Sequence, residues 1–550
     1  MRLTKLFIAM LLIGSTQLNA QNKPSRPKLV VGIVVDQMRY DYLYRFSNRY
    51  GENGLKRMMR EGLNCQDNHY NYAPTVTAAG HASVYTGSVP AIHGIVGNDW
   101  TDRATGKHVY CTDDSTVTTV GTIGKTGLMS PKNLWTSTIT DQLKISQNYK
   151  SKTIAIALKD RGAILPGGHT ADAAYWYDSK EGRWITSSFY MQNLPNWVQA
   201  FNSEERAQKY TKLGWNTLYP IETYRSSAPD AGEFENKMAG ETAPVFPHSL
   251  QGGNPLELIR TSPYGNTLTK DFAIKAMQEE QLGKNGTADF LAISFSSTDY
   301  VGHSFGPQSI ELEDTYLRLD RDIAEILSFL DKQYGKDQVL VFLTADHAVA
   351  EIPGFIKGKK LPGGIFDRLK AVTDLKKALS SAYGDVDLLV SEDNSQLHFN
   401  AKTIQKMGIK RADLYQVVRQ SFEKQEGFSE LVDLQSIQQS SIVSNYKNII
   451  QNGYNPARSG DFMVLLRPQW LIGYKTGTSH STVYAYDTHV PLLFYGWKVK
   501  PQEINARTEI SDISTTLANW LNCMEPSGSI GKVIQTKYDI FILFKDLYLI

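Results

Sequence analysis

This 550-residue chain is predicted to adopt an α/β fold: a doubly wound, mostly parallel central sheet with helices on both faces and capping insertions. Three observations carry that prediction. Continuous apolar runs rich in Val and Ile, at 28–35, 153–158, 288–295 and 338–343, have the pattern of strands covered on both faces. Helical stretches alternate with them, as in doubly wound sheets. Candidate ligand residues follow three of these runs directly, at the carboxyl ends of strands, where open α/β sheets form their sites.

Taken in order, 28–35 is the first strand and leads into Asp36. Residues 40–61 read as a helix with a basic, polar outer face. The short strand 153–158 leads into Lys159-Asp160-Arg161. Strands 288–295 and 338–343 bracket 310–334, a long amphipathic helix with interleaved acids and bases, and 490–495 is a further strand. Two regions break the pattern. Residues 175–285 are loop-rich, with many aromatics and turn residues. Residues 353–473 hold their own strands at 385–391, 393–400 and 461–466 and a helix at 411–424. Both read as insertions that cap one cleft. The expected organisation is therefore 1–20 signal peptide, 27–174 first core part, 175–285 insertion, 286–352 second core part, 353–473 α+β cap, and 474–550 third core part with a C-terminal tail.

The N-terminus has the layout of a cleavable secretory signal. Arg2 and Lys5 precede the apolar stretch 6–14, and Leu18-Asn19-Ala20 is a small-residue cleavage site. That stretch is short for a bilayer, and no cysteine near it suits a lipid anchor, so a periplasmic or secreted protein is expected without a stable membrane anchor. The apolar tail 538–550 is also too short for a span and is interrupted by Lys545 and Asp546. Lys plus Arg number 58 and Asp plus Glu 56. This balance gives no reason to expect a nucleic-acid-binding surface. Cys65, Cys111 and Cys523 form no CxxC pair; one Cys65–Cys111 disulfide and three free thiols are equal alternatives. Oligomeric state is left open.

Asp36, Asp299, His303, Asp346, His347 and His480 together make three aspartates and three histidines. That is a full protein ligand set for two borderline cations about 4 Å apart. Asp36 would also serve as a helix cap. Asp299 and His303, four residues apart, can meet one cation on a helical turn. Thr77 follows a proline-containing loop and opens the short-chained run Ala78-Ala79-Gly80-His81, near a helix N-terminus that favours anions. It offers a nucleophilic hydroxyl; Thr75 competes for that role, and a plain cap is the bland alternative. Lys159 and Arg161, two apart on an extended chain, face the same way and suit a dianionic phosphate, although a solvated turn is ordinary for such residues. Asn98 could add a hydrogen bond. His81, His93 and His489 read as structural or supporting.

The ordered stretches Val35-Asp36-Gln37, Thr75-Val76-Thr77-Ala78-Ala79-Gly80-His81, Gly97-Asn98, Lys159-Asp160-Arg161, Asp299-Tyr300-Val301-Gly302-His303, Ala345-Asp346-His347, Gly477-Thr478-Ser479-His480 and Asp487-Thr488-His489 resemble the alkaline phosphatase superfamily. The chain looks most like its secreted phosphate-irrepressible members from Bacteroidetes-type bacteria. The resemblance implies two zinc ions. Asp299, His303 and His480 would hold the one at the leaving-group oxygen, and Asp36, Asp346 and His347 the one that engages Thr77. It implies attack by Thr77 on small-molecule phosphate monoesters, a phosphothreonine intermediate and broad leaving-group tolerance. Asn98, Lys159 and Arg161 resemble the phosphate-oxygen contacts of the monoesterase branch. A phosphodiesterase or phosphonate esterase on the same metals is the alternative. Ser481 departs from the family pattern, where a glycine is expected, and so does the ending after Lys532.

Overall fold

The computed structural model describes residues 25–473 and 475–537. The signal-peptide reading of 1–20 and the apolar tail 538–550 lie outside the described residues. Ten strands form the central sheet: β1 (Leu29–Val35), β2 (Leu63–Cys65), β3 (Thr119–Val120), β4 (Thr153–Ala157), β5 (Ala173–Asp178), β6 (Arg183–Ser187), β7 (Asp289–Phe295), β8 (Val339–Thr344), β9 (Leu492–Gly496) and β10 (Gln502–Ile504). Their order across the sheet is β10-β2-β9-β8-β1-β7-β4-β5-β6-β3.

The five central strands β8-β1-β7-β4-β5 are parallel. Every residue of β1 is buried, as its unbroken Val/Ile run requires of a strand with neighbours and layers on all sides. The parallel centre bears out the expected sheet, and antiparallel pairs at its flanks make the whole sheet mixed. Strand β9 runs antiparallel to β8 and to β2, β6 to β5, and β3 to β6. The β5–β6 pair is a hairpin closed by Gly182 N–H on the Asp178 carbonyl at 2.8 Å, which needs no crossover helix.

Helix α1 (Thr77–Thr86) is buried along its whole length. Its small residues permit this. A Cβ on Gly80 would stand 2.2 Å from the Asp346 carbonyl oxygen, and one on Gly32 of β1 would stand 2.5 Å from the Tyr85 hydroxyl. The helix thus lies hard against both β1 and the segment after β8. Helices α2 (Asp160–Gly167) and α3 (Ser297–Phe305) leave the ends of β4 and β7. Helix α4 (Ile310–Tyr334) matches the long amphipathic stretch of the sequence, and Ser309 caps it by accepting from Leu312 N–H.

The expected helix over 40–61 is two short ones, Tyr42–Arg45 and Leu55–Glu61. The cause is tertiary. The Asp320 carboxylate of α4 accepts from Gly51 and Leu55 N–H at 2.7 Å each, and a Cβ on Gly54 would meet Asp320 Oδ1 at 2.3 Å. Within 175–285, most of β5, all of β6 and a 16-residue helix, Tyr264–Glu279, belong to the central layers. Within 353–473, four antiparallel strands, Leu389–Asp393, Gln396–Phe399, Phe462–Leu466 and Phe428–Asp433, carry two helices over a separate apolar core around Leu375, Leu397, Val418 and Phe462. Cys65, Cys111 and Cys523 are all free thiols, so the Cys65–Cys111 bridge is not formed.

Candidate two-metal active site

Strands β8, β1 and β7 are neighbours in register, with Val34 level with Thr344 on one side and Ser294 on the other. Their carboxyl ends therefore deliver Asp346, Asp36 and the start of α3 to one place. Asp299 lies in the first turn of α3 and His303 one turn later, 3.1 Å apart. His480 arrives from a loop far along the chain. The six candidate ligands fall into two groups, Asp36 with Asp346 and His347, and Asp299 with His303 and His480. Within each group the ligand atoms lie within 4.8 Å of one another. The His347 and His480 rings stack at 3.6 Å, so the groups share a wall.

Hydrogen bonds fix the orientation of the three candidate histidines. Nδ1 of His303 bonds the Thr478 carbonyl at 2.8 Å, Nδ1 of His347 the Ala348 carbonyl at 3.0 Å, and Nδ1 of His480 the Thr75 carbonyl at 2.7 Å. A carbonyl only accepts, so each Nδ1 carries a proton and Nε2 is the atom each ring turns to the centre, where that of His303 lies 3.1 Å from Asp299 Oδ1. His347 Nε2, Asp36 Oδ1 and Asp346 Oδ2 are buried with no hydrogen-bond partner among the described residues. Orphaned buried acceptors are costly and call for a cation or donor. Carboxylate oxygen and imidazole nitrogen together suit zinc and its neighbours.

The charge balance points the same way. Three carboxylates are buried around one ammonium, Lys159, whose Nζ is 2.7 Å from Asp36 Oδ2 and 2.6 Å from Asp299 Oδ2. Burial alone would raise the Asp299 carboxyl, but His303 and Lys159 outweigh it and hold it well below the usual carboxylate range. Asp346 goes the other way: burial and then the Asp36 carboxylate push it well above that range. The centre is short of positive charge, which two divalent cations would correct.

Thr77 is the first residue of α1 and nearly fully buried, with Oγ1 3.4 Å from Lys159 Nζ. Val76, not Thr77, occupies the cap position, and no side chain caps the helix. Thr75 is engaged elsewhere: its hydroxyl donates to the Thr482 carbonyl and its carbonyl holds His480. Asn98 Oδ1 accepts from Ala78 N–H at 2.9 Å, which leaves the donating end of its carboxamide for an anion. Arg161 Nη1 donates to the Tyr110 hydroxyl at 3.1 Å, while its Nε is buried without a partner among the described residues.

Three residues that support the site were not singled out in the sequence. Gln37 donates its backbone N–H to Asp346 Oδ1 at 3.1 Å and its carboxamide to Asp299 Oδ1 at 2.6 Å, tying the two groups together. It does so from a left-handed backbone, φ 65°, which a glutamine does not announce. Thr298 donates to the Asp36 carbonyl at 2.6 Å, and Tyr110 fixes Arg161. His81 is buried between the Thr77 carbonyl and the Ser294 hydroxyl, and burial pushes its pKa down to about 4. His93 bonds Ser83 and the Ile95 N–H, and His489 stacks between Tyr40 and His69. Ser481, where a glycine is expected, sits at φ 96°.

Comparison with known proteins adds relatives to this geometry. The model of a family described as type I phosphodiesterase/nucleotide pyrophosphatase matches residues 30–491. The chain is 48% identical over 523 residues to a protein of Myroides odoratus named calcium-transporting ATPase, covering 94% of this chain and 95% of that one. It is 46% identical over 548 residues to alkaline phosphatase PhoV of Synechococcus elongatus, covering 97% and 99%. The crystal structure of wild-type alkaline phosphatase PafA matches with a TM-score of 0.90 at 44% identity, covering 93% of this chain and 99% of that chain.

Proposed function

The chain belongs to the type I phosphodiesterase/nucleotide pyrophosphatase family within the alkaline phosphatase superfamily, and on that premise we propose an exported, zinc-dependent phosphate monoesterase that works through Thr77. Hydrolysis of phosphate esters is the activity its named phosphatase relatives support. One observation carries the finer reading: the Lys159 ammonium stands between the two metal-capable groups and 3.4 Å from the Thr77 hydroxyl.

Asp36, Asp346 and His347 would hold one cation and Asp299, His303 and His480 the other; bound there, the pair supplies Lewis-acid activation of a nucleophile and stabilisation of a departing oxygen. Thr77 Oγ1 attacks phosphorus in line. The new Oγ1–P bond forms as the P–O bond to the alcohol breaks on the opposite side; the Oγ1 proton passes to water and the departing oxygen takes one up from water. Water then attacks the phosphothreonine, breaks the Oγ1–P bond, releases phosphate and restores the hydroxyl. Lys159, Arg161 and Asn98 stabilise the three remaining phosphoryl oxygens, where charge is concentrated. Because α1 is packed against β1 and Asp346 through Gly80 and Gly32, Thr77 is held in place before substrate arrives. Export with cleavage after Ala20 rests on the sequence of 1–20 alone.

The description of the matching family favours a second reading, a diesterase on the same residues. A diester carries an alkyl group on one of the three oxygens that the cationic set would contact, and so forfeits part of that stabilisation. Assaying the zinc-loaded protein on an aryl monoester and its matching diester, with a chelator and after zinc return, separates the two. The monoester should turn over faster, stop on chelation and recover with zinc. A diester preference would overturn the role given to Lys159 and Arg161.

A further inference from the structure

A cavity of about 360 Å³ adjoins the candidate centre, within the range of small-molecule pockets. Its inner wall is the loop Ser479–Thr482, which includes His480. Its outer wall is the cap, with strand Phe462–Leu466 and the residues Trp470–Ile472. The cap reaches the other side of the centre as well. The Asn394 carboxamide, at the tip of a cap hairpin, donates to the Asp99 carbonyl at 2.9 Å, next to Asn98. The cavity therefore begins beside His480 and ends on the cap.

Resting on the mechanism above, we propose that this cavity is the leaving-group subsite and that, within the broad tolerance the resemblance implies, it favours monoesters of uncharged, aryl-sized alcohols over small alkyl or anionic ones. In-line displacement puts the departing alcohol on the far side of phosphorus from Thr77, and the cavity opens beside the ligand group that does not contain Asp36. Two aromatic side chains in its wall are held rigidly. A Cβ on Gly427 would lie 2.2 Å from the Trp470 indole, so only glycine lets that ring seat, and the Tyr484 hydroxyl donates to the Leu466 carbonyl at 2.6 Å. Preordered aromatic walls bind flat apolar groups at little entropic cost. Charge supplies the selection against anions. Asp99, Glu392 and Asp393 line the cavity against one guanidinium, Arg368, which pairs with Glu392 at 2.8 Å.

The test compares kcat/KM for phenyl phosphate, ethyl phosphate and 4-carboxyphenyl phosphate in the wild type, Trp470→Ala and Asp393→Asn, all zinc-loaded and checked for folding by circular dichroism. Intrinsic leaving-group reactivity cancels when each variant is read against the wild type. Trp470→Ala should lower the phenyl-to-ethyl kcat/KM ratio about tenfold. Asp393→Asn should raise the ratio of 4-carboxyphenyl to phenyl phosphate kcat/KM about threefold or more. Unchanged ratios in both variants, with ethyl phosphate still hydrolysed, would overturn the subsite and leave the function standing. If Trp470→Ala does not fold, the carboxylate response of Asp393→Asn decides. No wild-type turnover of phenyl or ethyl phosphate would instead overturn the function itself.

Discussion

The Gln37 carboxamide donates to Asp299 Oδ1 at 2.6 Å, across the boundary between the two candidate metal groups. Its own backbone N–H serves Asp346 of the other group. One residue directly after Asp36 therefore sets the relative placement of both. Gly302 is part of the same arrangement, since a Cβ there would sit 1.9 Å from Gln37 Oε1.

Gln37→Gly isolates that contact. Glycine tolerates φ 65° and keeps the backbone N–H, so only the carboxamide is lost. Contacts that orient a ligand typically carry about 10–100-fold in metal affinity. Zinc retention in a chelator competition should fall by about that factor, with the melting temperature of the metal-free protein nearly unchanged. Equal retention would show that Asp299 needs no such support.

Lys159→Met removes the ammonium at nearly constant volume. Monoester kcat/KM should drop about 10²–10³-fold, the scale of losing one charged stabiliser of the transition state. Diester turnover should fall far less, because one phosphoryl oxygen is already esterified. Zinc should bind no more weakly, since Asp36 and Asp299 lose a competing cation. A matched fall on both substrates would place Lys159 in general structural support.

Ser481→Gly should stabilise the protein. At φ 96° a side chain carries backbone strain of about 1 kcal/mol or more that glycine lacks. The unfolding midpoint in denaturant should rise while kcat stays within about twofold, because His480 is held by the Thr75 carbonyl rather than by Ser481. A lower midpoint would mean that the serine side chain makes a compensating contact.

Glu235 supplies a pH dependence of stability. Burial, and then the Glu311 carboxylate, push its pKa up from the ordinary range to about 9. A carboxyl whose folded pKa lies above its unfolded one gives a stability contribution that is complete below the unfolded value of about 4.3 and is lost as pH rises towards the folded one. Between those limits the wild type should lose stability with rising pH relative to Glu235→Gln. Melting temperatures of both proteins from pH 5 to 9 check this; parallel curves would mean that Glu235 ionises normally.

Much of the candidate site was legible because its parts are local. Asp36 and Asp346-His347 follow apolar runs, and β1 and β8 end where those runs end. Asp299 and His303 are four residues apart on what proved to be a helix. Thr77 was harder, since Thr75 fitted the same loop. The two separate only in three dimensions, where Thr75 is spent on the His480 loop and Thr77 faces Lys159. Gln37 carried no signal, because an unusual φ at a glutamine depends on what its side chain reaches.

The sequence by itself determined the alternation of strands and helices, the candidate ligand types and their places at strand ends, because these follow from local periodicity and from short spacings. Only the tertiary structure decided what long-range contact decides. It broke 40–61 into two helices through Asp320, turned the sheet's flanks antiparallel, left Cys65 and Cys111 apart, and brought His480 onto His347. A residue's partner hundreds of positions away leaves no periodic trace in its own neighbourhood. Packing chooses that partner only once the sheet order and the close approaches at Gly32, Gly54 and Gly80 are set.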